Sequence, residues 1–238
     1  MSDQRAWEVV LGRIEADLAS GRLKPGDHLA PERALAAELG VGRSSVREAV
    51  RVLDVLGLIR TQPGSGPSSG AVVVAAPGDG MSVLMRLQVA AQGFGVADVV
   101  RTRILLESAV ATELAGATTP APDLTEPLSL LTAMDADGLT AAEFLVLDAE
   151  FHLALASAAG NQVVIATMAG LRTAIESYVQ TGARRLATWA PTADRLRGEH
   201  RGIIAAIRAH DAETAGHRVH EHITGYYAET FTPHPKES

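Results

Sequence analysis

Residues 31–57 read PERALAAELGVGRSSVREAVRVLDVLG, and this stretch decides how the N-terminal third folds. Leu35, Ala36 and Leu39 recur at helical spacing from about Pro31, and Gly40 stops the run. Proline suits a first helical turn, where its missing N–H leaves no hydrogen bond unmade. A second helical pattern starts near Arg43 or Ser44 and continues to Leu56, with Val46, Ala49, Val50, Leu53 and Leu56 apolar. Gly57 stops that one. Two short helices across a tight turn containing glycine match a helix-turn-helix.

Working outward, Ala6 to Ser20 predicts a preceding helix, with Val9, Val10, Ile14 and Leu18 on one face and Gly21 at its C-terminal end. After the motif, Leu58–Thr61 and the β-branched run Ala71–Ala75 predict two strands of a hairpin. The Gly/Pro/Ser-rich stretch from Gln62 to Gly70 is its long tip. Residues 1–76 thus read as a winged helix-turn-helix domain. Ala76-Pro77-Gly78-Asp79-Gly80 marks the boundary. Beyond it, helical spacing recurs over Ser82–Ala91, Ala97–Ala115, Leu124–Ala136, Ala141–Ala159, Gln162–Arg185, Thr192–Ala209 and Ala212–Phe231. The expected fold is mainly α, with a second, all-helical bundle domain over residues 80–238.

Composition narrows the function. Of 238 residues, 47% are hydrophobic and 21% charged, a globular balance that excludes a disordered chain. Cysteine is absent, which removes disulfides, thiolate metal sites and a cysteine nucleophile. No apolar run approaches the ~18 residues of a membrane span, and Met1 to Leu18 lacks a signal-peptide core. The cytoplasm is the expected compartment. The net charge of −7 is asymmetric: residues 1–75 hold nine basic and nine acidic side chains, and the rest twelve and nineteen. Acidity therefore argues against nucleic-acid contact only for the C-terminal part.

The second helix of the motif opens with Arg43, Ser44, Ser45 and Arg47, while Val46, Ala49 and Val50 point to the core. Arginine can bind guanine O6/N7 with two parallel hydrogen bonds, and serine reaches bases or phosphates. Arg33 on the preceding helix can join them, and Gly64-Ser65-Gly66 at the wing tip can approach DNA with little bulk. Two arginines one turn apart also suit an ordinary solvated face. The wider string from Gly21-Arg22-Leu23-Lys24-Pro25-Gly26 through Leu29-Ala30-Pro31-Glu32-Arg33 to Val46-Arg47-Glu48-Ala49 and Gly57-Leu58-Ile59 favours DNA, because it closely resembles the N-terminal domain of the GntR family of bacterial transcription regulators. The resemblance implies that Arg33, Arg43, Ser44, Ser45 and Arg47, with Gly64 and Gly66 in the wing, contact operator DNA. Three departures stand out. Ala30-Pro31 replaces the family's usual Pro-Ser, which removes a helix cap. Gly42 replaces a Ser or Thr, and Pro67-Ser68-Ser69-Gly70 extends the wing.

A second constellation lies in the helical part. Asp148 and His152 are one turn apart and share a helix face. His200 and His222 fall on two later helices. Three imidazoles and a carboxylate can bind a divalent ion. Zinc comes first, with nickel, manganese, cobalt and ferrous iron open. The opposing reading is packed or surface histidines, as expected for His210, His217, His220 and His234. The surroundings of these residues resemble the all-helical FCD effector domain of the FadR branch of the GntR family. In its metal-containing members the matching aspartate and three histidines bind the ion.

That resemblance implies a small organic-acid effector beside the metal. Arg103 matches a cavity-facing arginine that can clamp a carboxylate, although an intrahelical pair with Glu107 is an equal reading. Asn161 can contact the effector, although after Gly160 a helix cap is the stronger reading. The expected protein is a homodimeric, effector-responsive regulator, a repressor in the usual family pattern. Two rival readings are a metal-dependent enzyme in the bundle and a constitutive DNA-binding protein whose bundle only dimerises.

Overall fold

A computed structural model describes residues 5–62, 70–74, 79–92 and 94–231. The chain divides into two compact units, Met1–Leu84 and Met85–Ser238.

The first unit contains α1 (Ala6–Ala19), α2 (Glu32–Leu39), α3 (Arg43–Val55), β1 (Ile59–Gln62), β2 (Gly70–Val73) and the start of α4 (Asp79–Gln92). Val10, Ile14, Leu35, Ala36, Val46, Ala49, Val50, Leu53, Ile59 and Val73 form its core. α3 alternates this buried face with an exposed polar one, which is what the sequence periodicity demands. Pro31 is the N-cap of α2 and Gly42 that of α3, and neither supplies a side-chain cap. Gly40 closes α2 in the left-handed conformation at φ 64°, where a side chain would be strained.

β1 and β2 pair antiparallel, with Ile59 opposite Val73 and Gln62 opposite Gly70. β1 is shifted by one residue from its expected limits, and β2 begins one residue early and ends at Val73, two residues before Ala75. Gly64 and Gly66, expected at the wing tip, lie outside the described residues. The other edge of β2 is covered by residues 26–29: Gly26 N–H donates to Val73 O at 2.9 Å and Leu29 N–H to Ala71 O at 2.8 Å. Sequence patterning missed this pairing because the segment is too short to show alternation. Asp54 of α3 accepts from the backbone N–H and the hydroxyl of Thr61, anchoring the hairpin to the helix.

The second unit holds the remainder of α4 and then α5 (Val96–Gly116), α6 (Thr125–Met134), α7 (Ala141–Ala159), α8 (Gln162–Ala183), α9 (Ala190–Arg208) and α10 (Ala212–Phe231). Among the described residues its core is dominated by aliphatic side chains, with Phe144 and Phe151 fully buried. Thr140 and Glu143 form a reciprocal capping box that starts α7. Asn161 caps α8 by accepting from the Val163 and Val164 N–H groups. α10 packs along α5 through Gly216, where an added Cβ would lie 2.4 Å from Thr112 Oγ1. Small residues thus let the two helix backbones approach closely. α9 starts at Ala190, before the expected Thr192, because Pro191 fits its first turn.

Candidate functional site

In the first unit, α3 presents Arg43, Ser44 and Arg47 to solvent, with Ser45 half-buried beside them. Arg33 is exposed on α2. Arg47 pairs with Glu32 at 3.2 Å, an exposed contact of small energetic weight. These five side chains belong to one helix pair, which turns Leu35, Ala36, Val46, Ala49, Val50 and Leu53 into the core. The polar face is free to meet a partner.

The second unit brings together Asp148 and His152 of α7, His200 of α9 and His222 of α10. Each offers one ligand atom, and these atoms lie within 4.8 Å of one another. All four side chains are buried. His152 Nε2 and His222 Nε2 are 3.1 Å apart. Asp148 Oδ1 is 3.0 Å from His200 Nε2 and 3.6 Å from His222 Nε2. Ligands at about 2.0–2.1 Å from a tetrahedral ion sit roughly 3.3 Å from each other, so these spacings match a small divalent ion.

Electrostatics differ among Asp148, His200 and His222. Burial pushes the His200 imidazole down to about 4, against the opposing pull of Asp148. It is therefore neutral near pH 7, the form a metal needs. Phe151 packs against its ring with centroids 4.7 Å apart. Neither His200 ring nitrogen finds a hydrogen-bond partner, although Nε2 lies close to Asp148. A fully buried imidazole without a partner is costly, and a bound cation would relieve it at Nε2. Burial opposes the charged form of His222, but the Asp148 and Glu199 carboxylates outweigh it and raise this group to about 9, so a metal at its Nε2 must displace a proton. Burial likewise opposes ionisation of Asp148, yet contacts with His200 and His222 hold it well below the usual carboxylate range. The cluster thus keeps a carboxylate ionised among three imidazoles inside an apolar bundle.

Two further carboxylates reach the cluster. Glu107 of α5 lies 2.8 Å from His152 Nδ1, and Glu199 of α9 lies 2.8 Å from His222 Nδ1. From the sequence Glu107 is expected only as a partner for Arg103, and Glu199 is not singled out. For Glu107 the available signal was a charged pair on the mostly apolar α5, since charged side chains are seldom buried unless paired. Arg103 does form the intrahelical pair: its Nε and Nη2 donate to Glu107 at 2.6 and 3.2 Å, and Nη1 donates to Tyr178 Oη at 2.6 Å. Burial opposes ionisation of Glu107, but Arg103 and His152 bring it down to about 2.

Arg103 borders two small cavities, one beside His152 and one beside His222. Each holds about 10 Å³, roughly one water. Asn161 is exposed and lines neither of them. Its side-chain oxygen caps α8, the stronger of the two readings from the sequence. His210, His217 and His220 are exposed, as expected, and His234 lies outside the described residues.

A helix-turn-helix unit with an arginine-bearing outer helix, in one chain with an all-helical bundle, defines a class of DNA-binding regulator. Comparison with known proteins gives the family. The model for "Bacterial regulatory proteins, gntR family" matches residues 7–67, and that for the FCD domain matches residues 98–225, more than half of the chain. The chain belongs to the GntR family, in its FCD-containing group, and is a transcription regulator, not an enzyme. It is 28% identical to the transcriptional regulator LutR of Bacillus subtilis, over 89% of this chain and 98% of that one. It is 29% identical to the transcriptional repressor NanR of Klebsiella aerogenes, over 94% of this chain and 84% of that one. A solved GntR structure from Streptococcus agalactiae shares the fold, with a TM-score of 0.62 at 24% identity over 92% of this chain and 97% of that one. Regulators of this family bind operator DNA and usually act as dimers. Among the described residues no helix is long and apolar enough to cross a membrane.

Proposed function

We propose that this protein is a homodimeric, effector-responsive repressor that senses a small organic acid at a divalent metal ion held by Asp148, His152, His200 and His222. The observation that carries this reading is the convergence of these four buried side chains from three helices of the FCD domain. The repressor relative NanR supports the direction of control. Zinc is the first expectation for a tetrahedral nitrogen and oxygen set, and nickel, cobalt, manganese or ferrous iron can use the same ligands. When bound, the ion supplies an electrophilic coordination position for a carboxylate oxygen.

The protein's own groups do the rest. Arg103 uses three of its five N–H donors on Glu107 and Tyr178, leaving two for an effector carboxylate. The flanking cavities are too small for an organic acid, so effector entry requires side chains or helices to shift. That requirement is what allows binding to bias the dimer. A ligand that binds one arrangement better shifts the population toward it, and effector and DNA affinities change reciprocally. In the first unit, Arg43, Ser44, Ser45 and Arg47 of α3 read the major groove, with Arg33 on the DNA backbone or a base edge. Two such helices in a dimer would meet a pseudo-palindromic operator.

The test is metal content of the purified chain, wild type against His200→Ala, followed by operator binding with and without small carboxylic acids. About one ion per chain, lost in the variant, supports the site. No uptake by either, after loading with zinc, nickel or manganese, overturns it. Operator affinity that no acid changes would leave a constitutive DNA-binding protein.

A further inference from the structure

We propose that Glu107 and Glu199 are positioning residues for the metal centre, each fixing one histidine so that its Nε2 faces the ion; this rests on the metal-binding reading above. A neutral imidazole has one N–H and one lone pair, and whichever nitrogen donates to a neighbour leaves the other as the ligand. His152 and His222 each turn Nδ1 to a carboxylate oxygen at 2.8 Å. Their Nε2 atoms then face each other at 3.1 Å.

The same arrangement occurs twice. Glu107 follows Arg103 by one turn on α5, and Glu199 follows Arg195 by one turn on α9. In both, Oε1 accepts from the arginine, at 2.6 Å and 2.5 Å, while Oε2 takes the histidine. The arginines are braced in turn: Arg103 by Tyr178, and Arg195 by Glu229 of α10. Neither glutamate shares a helix with its histidine, so each pair ties a ligand-bearing helix to a neighbour. α5 contributes no ligand but is joined to the centre through Glu107. His200 supplies the internal contrast, since its Nδ1 has no partner. A purely structural ion pair would not explain why the second carboxylate oxygen meets a ligand imidazole in both cases.

The test uses the full chain stripped of metal and titrated with Co²⁺, followed by visible absorption and by competition with Zn²⁺. Glu107→Gln and Glu199→Gln keep side-chain size and remove the charge. Each is expected to weaken Co²⁺ binding roughly 10–100-fold and to alter the absorption bands, which report ligand geometry. Helical content of the metal-free variants checks folding. Glu107→Gln leaves Arg103 buried beside a neutral amide. Should that variant fail to fold, Glu199→Gln decides, because Glu199 is 29% exposed. Folded variants with wild-type affinity and spectrum overturn the proposal. A wild-type chain that takes up no ion overturns the metal reading itself, and this inference with it.

Discussion

Arg103 and Glu107 face each other one turn apart on α5 in a two-point ion pair, both side chains no more than 4% exposed. Burying two charges is expensive, and their mutual attraction offsets the cost only while both are present. Arg103→Met should therefore destabilise the metal-free protein by about 3–5 kcal/mol. Adding Glu107→Gln to it should recover a substantial part of the loss. Urea unfolding followed by helical circular dichroism measures both. A double variant no more stable than the single one would show that the pair is not the source of the cost.

The same glutamate makes stability pH-dependent. Its folded-state pKa is about 2, against an ordinary 4.5, because Arg103 and His152 outweigh burial. A depressed carboxylate contributes stability that is fully present above about 4.5 and is lost as pH falls toward 2. The melting temperature of the metal-free protein should drop across that window, and drop less in Glu107→Gln. Parallel curves would count against the assignment.

The seam between α5 and α10 depends on Gly216. A Cβ there would lie 2.4 Å from Thr112 Oγ1 and 3.3 Å from Ser108 O. Gly216→Ala should cost about 1–3 kcal/mol, the usual range for overpacking. Thr112→Ala in the same chain should relieve much of it by removing the nearer atom. Thermal melts of the three variants and the wild type distinguish relief from simple addition.

On the DNA side, Arg43→Ala and Arg47→Ala should each weaken binding to an operator duplex selected from a random library by about 1–3 kcal/mol, if each reads a base. Such a variant also relaxes sequence preference at one position. A phosphate contact behaves differently: affinity falls for every sequence, and the salt dependence becomes shallower. Fluorescence anisotropy at several salt concentrations separates the two. Unchanged binding in both variants would remove α3 as the reading helix.

The elements of this protein were legible in the sequence because helices and hairpins are encoded by neighbouring residues. The spacing of Val46, Ala49, Val50 and Leu53 states which face of α3 is buried before any partner is known. Glycine stops such as Gly40 and Gly160 mark ends where the backbone turns left-handed. The four candidate ligands were legible through the resemblance of their surroundings to the FCD domain, whereas their spacing alone left packed or surface histidines open. What only the tertiary structure decided was how residues far apart in sequence meet. Glu107 and His152 are brought together by the packing of α5 and α7, and no local pattern encodes the rotation of one helix against another. The same holds for the pairing of residues 26–29 with the edge of β2 and for Arg103 joining Tyr178. Local propensity selects the element and its buried face. The close-packed interior, in which charged groups must find partners, selects which side chains share a site.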